Sequence, residues 1–268
     1  SPYLYFYGVT NDAQGNPVSV NKEMDFTRSL NSAIGYEHFL GPTQRPVRIK
    51  SELYYQHIYN VPVDKQPSSF SLLNAGATFT RFYPDTLLNK GKGENYGLEV
   101  TVDRNFAKHY LFMINGSLFQ SKYTGSDRVK RNTTFNGNYI VNALGTYEWE
   151  TTKQNVLSVG LRVSTSGGRR HGVIDEVASE NKKHVVYVEG TETALQFKPY
   201  FKVDFRLSYR VNLRKASHEI VLDMINILNT QNVLRHSYVP AYETGQIGRV
   251  EEEYQLGFLP FFYYRVGF

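Results

Sequence analysis

Segments of strict period-two alternation recur along this chain, and the connections between them are sorted by length. The short connections are 41–46, 105–108, 151–153 and 214–217; the long ones are 10–25, 60–93, 124–137, 166–198 and 229–255. Short and long take turns. Sequential strands running up and down place every second connection at the same end, so this sorting assigns tight turns to one end and long loops to the other. A Greek-key sandwich has no reason to separate its loops in this way. Transmembrane barrels of bacterial outer membranes do, with short periplasmic turns and longer outer loops. The expected fold class is therefore all-β, a transmembrane antiparallel up-and-down barrel of about ten strands.

The expected strands are Tyr3–Tyr7, Arg28–Leu40, Val47–Tyr59, Glu94–Arg104, Tyr110–Tyr123, Asn138–Glu150, Val156–Thr165, Tyr200–Leu213, His218–Leu228 and a closing strand to Phe268. Successive side chains of a strand point to opposite faces. In the clearest segment, Phe201, Val203, Phe205, Leu207 and Tyr209 share one face and Lys202, Asp204, Arg206, Ser208 and Arg210 the other. The same division sets Val47, Ile49, Leu53 and Tyr55 against Lys50, Glu52, Tyr54 and Gln56. Residues 60–93 read as a long irregular loop, with an extra strand over Ala75–Phe82.

Composition agrees with a barrel. Mean hydropathy is −0.43, and no run approaches the ~18–20 apolar residues of a spanning helix. A barrel strand needs only ~9–11 residues, of which alternate ones are apolar. Aromatics make up 15%, with 21 Tyr and 17 Phe against one Trp, an excess that suits interfacial girdles. Cysteine is absent, which removes disulfides and Cys-based metal sites. The net charge of +5 is spread among acids with no continuous basic stripe, so no nucleic-acid partner is expected. No signal peptide is visible. The last strand places Phe262, Tyr264, Val266 and Phe268 on one face, and an aromatic chain end suits a strand facing lipid at the periplasmic rim. Tyr264, Val266 and Phe268 are the candidate assembly signal.

Several local patterns resemble the barrels of TonB-dependent outer-membrane receptors. They are Ile49-Lys50-Ser51-Glu52-Leu53-Tyr54-Tyr55-Gln56 with Asn60-Val61-Pro62-Val63; Gly93-Glu94-Asn95-Tyr96-Gly97-Leu98-Glu99; Asp204-x-Arg206-x-Ser208-Tyr209-Arg210; Asp223 with Asn226 and Asn229; and Gln255-Leu256-Gly257-x-Leu259-Pro260. The resemblance, which extends to SusC-like members, covers the whole chain but only the C-terminal part of such a receptor. It implies part of a 22-stranded barrel, with the N-terminal strands, the plug domain and the TonB box outside residues 1–268. It also implies energy-dependent uptake of a nutrient in the bacterial outer membrane. The implied partners are outer-membrane lipid, the missing barrel strands and plug, a TonB-type inner-membrane protein and a surface lipoprotein.

Candidate lumen-facing residues follow from the alternation: Lys50, Glu52, Tyr54, Gln56, Glu99, Asp103, Arg162, Lys202, Asp204, Arg206, Arg210 and Asp223. Their mixed charges read as neighbouring ion pairs rather than catalytic groups. The acids of Glu99 with Asp103, Glu219 with Asp223, and Glu251 to Glu253 read as solvated charge. The seven His are dispersed without metal-ligand spacing. No enzyme activity, metal or cofactor is expected. The alternative is a complete ten-stranded barrel acting as a surface protease or adhesin, with His236 and Asp175 or Asp127 at its rim. Gly91-Lys92-Gly93 lacks the following Lys-Ser/Thr of a phosphate loop. Arg169, Arg170, Lys182 and Lys183 put basic spots in one long loop.

Overall fold

The structure, a computed structural model, describes residues 8–43, 45–75, 86–107, 109–151, 154–241 and 248–268. It is mostly β. Nine long strands carry it: β3 (Arg28–Leu40), β4 (Val47–Asp64), β5 (Leu87–Ala107), β6 (Tyr110–Thr124), β8 (Tyr139–Glu150), β9 (Asn155–Ser166), β12 (Tyr200–Asn212), β13 (Ser217–Ile225) and β16 (Leu259–Gly267). Each pairs antiparallel with the next, giving the order β16-β13-β12-β9-β8-β6-β5-β4-β3, and the short β7 (Lys130–Asn132) adds to β6 as the tenth strand. The expected strand Tyr3–Tyr7 lies outside the described residues. Among the described residues, β3 and β16 each have a ladder neighbour on one side only, so the sheet is open at both edges.

The four tight connections all fall at one end, after Leu40, Ala107, Glu150 and Asn212. The long connections fall at the other end and carry structure of their own. β1 (Val9–Asn11) and β2 (Pro17–Ser19) form a hairpin whose turn is held by Asp12, which accepts from Gln14 N at 2.9 Å and Asn16 N at 2.8 Å. The loop before β12 holds β10 (Arg170–His171), β11 (Leu195–Gln196) and helix α1 (Glu176–Lys182). The loop before β16 holds a second hairpin, β14 (Val233–Val239) with β15 (Arg249–Tyr254).

Several expected boundaries are corrected. The irregular stretch 60–93 is shorter, because β4 continues to Asp64 and β5 begins at Leu87. Pro62 interrupts the ladder without ending it, and the pairing shifts on either side of Val61. Glycines make the continuation possible: a Cβ on Gly91 would stand 2.5 Å from Val63 Cγ1, and one on Gly93 would stand 2.6 Å from Leu73 Cδ1. Ala75 ends a 3₁₀ turn, and the rest of the expected strand Ala75–Phe82 lies outside the described residues. Strand β13 stops at Ile225, short of Leu228, because Asn226 turns left-handed at φ 52°.

The faces separate as the alternation requires, but the sheet does not bury its apolar face. Among the described residues the buried hydrophobic side chains are Val61, Val63, Leu87, Tyr123, Val203 and Val221. Val61, Val63 and Leu87 lie in the loop-end extension of β4 and β5, beside the buried Asn21, whose Oδ1 accepts from Leu87 N at 2.9 Å. Large apolar residues of the main sheet stand exposed instead: Ile34 at 74%, Leu118 at 63% and Phe262 at 72%. They share one face. Ile34, Leu53, Leu98 and Leu118 are successive ladder partners, as are Leu161, Phe205 and Met224.

On β8 that face begins at Tyr139, runs through Val141, Ala143 and Gly145, and ends in Tyr147 and Trp149, whose rings meet at 4.4 Å. Tyr209 and Tyr264 continue the aromatic edge at the tight-turn end, and Tyr55 and Tyr96, ladder partners, mark the loop end. Tyr264 and Val266 face Ile220 and His218 across the ladder, and Phe268 follows the last paired residue fully exposed.

Candidate functional site

The opposite face of the sheet is polar, and it gathers all twelve residues singled out from the sequence. Strand β4 supplies Lys50, Glu52, Tyr54 and Gln56; β5 supplies Glu99 and Asp103. Strand β9 supplies Arg162, β12 supplies Lys202, Asp204, Arg206 and Arg210, and β13 supplies Asp223. Ladder partners share a face. One row runs Arg48, Asp103, Met113, Leu144, Arg162, Asp204, and the next Lys50, Thr101, Asn115, Asn142, Ser164, Lys202.

Within these rows opposite charges meet. Arg48 reaches Asp103 at 2.8 Å, Lys50 reaches Glu52 at 3.2 Å, Lys202 reaches Asp204 at 3.1 Å and Arg206 reaches Asp223 at 3.4 Å. Arg206 also hydrogen-bonds the Tyr263 hydroxyl. Glu52 and Glu99 are the exception, like charges directly across the ladder. Lys50, reaching across from Glu52's own strand, offsets part of that repulsion.

Two further members of this face were not among the candidate lumen residues, although alternation already sets Arg265 opposite the aromatics of the last strand. Arg48 pairs with Asp103, and Arg265 pairs with Glu219 at 3.3 Å. Both carried the signal, since each has the parity of residues already assigned to the wet face. Ser208 is also different from expectation. It has the right parity but is buried between Ser158 and Val221.

Several open recesses mark the polar face, among them one of about 380 Å³ beside Tyr54, Glu99, Thr101 and Asn115 and one of about 370 Å³ beside Asn31, Glu52, Tyr54 and Gln56. Another of about 290 Å³ lies among Thr146, Arg162, Lys202, Asp204, Arg206 and Asp223. A further one of about 230 Å³ lies among Met113, Asn115, Asn142, Arg162 and Ser164. Arg162 lines these last two. The chemistry on offer is a surface of paired charges and amides able to hold a polar protein surface or hydrated solute.

The loop end is tied together by hydrogen bonds that cross from loop to loop. Ser68 N donates to Ser126 Oγ at 3.0 Å, and Thr134 N to Asn74 Oδ1 at 3.1 Å, joining the loops before β5 and β8. Arg170 links the loops before β8 and β12, with Nε on Asn136 O at 3.0 Å and Nη2 on Asn138 Oδ1 at 3.1 Å. Arg131 holds Asp127 at 2.7 Å and Gly190 O at 3.3 Å. Burial alone would raise the Asp127 carboxyl, but the Arg131 guanidinium and the Val129 N–H outweigh it, and its pKa lies below the ordinary value.

The last two loops meet in an aromatic knot. The rings of His171, Phe197 and His236 lie 4.2, 4.7 and 4.8 Å apart, and the Tyr187 hydroxyl meets His236 Nδ1 at 3.0 Å. Burial, then the neighbouring His171, pushes the His236 pKa down. Two of the seven dispersed histidines are thus brought together by the fold. Asp175 and Asp127, the acids considered with His236 for a rim protease, are otherwise engaged: Asp175 caps α1 by accepting from Ala178 N at 2.9 Å, and Asp127 holds Arg131. The run Glu251 to Glu253 is paired with Arg249, Tyr254 and Arg235.

The Asn226 and Asn229 pair closes the top of β13. Asn226 N donates to Asp204 Oδ1 at 2.9 Å, and its side chain exchanges bonds with Thr230 N and O, both at 3.0 Å. Asn229 Oδ1 accepts from Phe258 N at 3.0 Å and so sets the entry of β16.

Fold and site define an all-β protein built on a ten-stranded antiparallel sheet with one apolar exposed face, one charged face and a tied loop end. No protein-family model, curated protein or solved structure matches the chain.

Proposed function

We propose that the chain is the C-terminal barrel portion of a TonB-dependent outer-membrane receptor that imports a nutrient ligand. The observation that carries this reading is the apolar face of β8, which runs from Tyr139 to Trp149, ten residues along one strand. That is about 33 Å along a strand, and about 25 Å at the ~40° tilt of barrel strands, the height of the apolar band of an outer-membrane barrel. Its aromatic ends match the two interfacial girdles. Burial of each such Leu, Val or Phe in lipid contributes ~1.5–3 kcal/mol, which stabilises a sheet that has almost no dry core of its own.

In this reading the charged face lines the lumen and supports a plug domain, and the tied long loops form the outer rim where ligand is captured. Edges β3 and β16 join further strands, because unpaired backbone in lipid is not tolerated and ten strands alone enclose a narrow barrel. A TonB-type inner-membrane partner drives opening through the plug, and a surface lipoprotein is the expected companion of a SusC-like member. The test is transport. Deleting the gene should abolish protonophore-sensitive uptake of one nutrient from a labelled panel of glycans, peptides and chelated iron. Uptake that is unchanged for every member of the panel, or insensitive to the protonophore, contradicts the reading.

A further inference from the structure

Above the apolar band, on the same outward face, the residue types change within two ladder rows. Ile34, Leu53, Leu98 and Leu118 form one row, and Tyr55 with Tyr96 the next. The row beyond is Leu30, His57, Glu94, Lys122 and Asn132, with the leucine at the sheet edge, and the one after it places Lys92, Thr124 and Lys130 side by side. Arg28, opposite Tyr59, extends the patch at the sheet edge. Arg28, Lys92 and Lys130 are exposed. Glu94, hydrogen-bonded to Lys130, is the acid within these rows, and Asp25 sits at the flank, its N–H on Asn89 Oδ1. Four permanent cations thus face one carboxylate in the step directly outside a tyrosine row.

We infer that this patch is a binding site for the phosphorylated headgroup of a lipid. A cluster of cations at the height where acyl chains give way to headgroups attracts anionic lipid through short-range, salt-screened contacts. Strand β7 supports this use. It adds Lys130 to the sheet at that height and nowhere else, while Arg131 on its other face turns inward to Asp127. The inference rests on the reading that the apolar face meets lipid.

The test separates the two. The full protein is placed in phosphatidylcholine vesicles with brominated acyl chains, and the Trp149 emission, taken as the part that Trp149→Phe removes, reports the lipid face whatever the headgroup. Acetylation rates of Lys92, Lys122 and Lys130 are then followed by mass spectrometry against Lys183 in the loops, with and without phosphatidic acid. The expected result is Trp149 quenching in every vesicle, and at least threefold slower acetylation of the three lysines with phosphatidic acid, reversed by 1 M salt. Lys122→Gln with Lys130→Gln should leave the quenching intact and remove the protection of Lys92. Quenching without selective protection overturns the headgroup site. Equal protection by inorganic phosphate at matched concentration assigns the patch to free anions and overturns the lipid source. Absence of Trp149 quenching overturns the lipid face itself.

Discussion

Tyr54 stands directly across the ladder from Gly97, and its hydroxyl oxygen would lie 2.9 Å from a Cβ placed there. The same Cβ would lie 2.5 Å from the Leu118 carbonyl oxygen and 2.9 Å from Phe119 Cβ. The hydroxyl end of Tyr54 can swing away, but the Leu118 backbone cannot. Gly97→Val should therefore destabilise the sheet by ~1–3 kcal/mol, as overpacking does. Gly116→Ala, whose nearest contact would be Val141 Cγ2 at 3.8 Å, should change stability little. Urea unfolding of the two variants in detergent checks this; equal midpoints would remove the steric role of Gly97.

The apolar face predicts an asymmetry of charge tolerance. Phe205 lies midway between Phe201 and Tyr209 on β12, so Phe205→Arg should cost roughly 2–4 kcal/mol near the bilayer midplane. Asn142→Arg, on the polar face beside Asn115 and Ser164, should cost far less. Ser208 is unsuitable for this comparison because it is buried. Refolding yields into vesicles measure both, and equal losses would argue against a lipid-facing side.

Asn226 combines a left-handed backbone at φ 52° with a buried side chain bonded to Thr230. Asn226→Ala should lose ~1–3 kcal/mol from the unsatisfied Thr230 groups, with a further ~1–2 kcal/mol from the left-handed backbone. Asn226→Gly should recover only the second part. Hydrogen exchange at the tops of β13 and β16 distinguishes them: identical exchange in the two variants would contradict the backbone contribution, and native exchange in Asn226→Gly would contradict the side-chain role.

The His236 knot predicts an acid-sensitive rim. A histidine whose folded pKa is depressed binds protons more readily once the knot opens. Its contribution is therefore present above the unfolded pKa of ~6.5 and lost as pH falls through the lower folded value. Facing groups are His171, Tyr187 and Glu252, with Arg169 acting on Tyr187. Exchange in residues 170–197 and 233–239 should rise on acidification, and His236→Phe should flatten that response. A pH-independent rim in the native protein would contradict the assignment.

Strand order, the sorting of connections and the division of faces were legible in the sequence because each follows from period two. Lys202 to Arg210 on β12 alternate without a break, so the ladder could only place them together. The loop end was not legible. Whether 60–93 continues the ladder depends on Gly91 and Gly93 meeting Val63 and Leu73, contacts that no local pattern announces. Helix α1, seven residues long, is too short for a periodic signal. His171 and His236 are far apart in the chain, and the fold of two separate loops brings them together.

The most direct test of the central claim uses the absence of cysteine from the chain. Leu98 and Glu99 are adjacent on β5 and point to opposite faces. Leu98→Cys and Glu99→Cys, each the sole thiol within residues 1–268, are treated in isolated outer membranes with a water-soluble charged maleimide and, separately, with a lipid-partitioning one, and labelling is read on the peptide that carries the new thiol. The account predicts that Cys at 99 reacts with the water-soluble reagent at least tenfold faster than Cys at 98, and that the lipid-partitioning reagent reverses the order. Equal reaction of both positions with the water-soluble reagent would place both faces in water and contradict a membrane-spanning sheet.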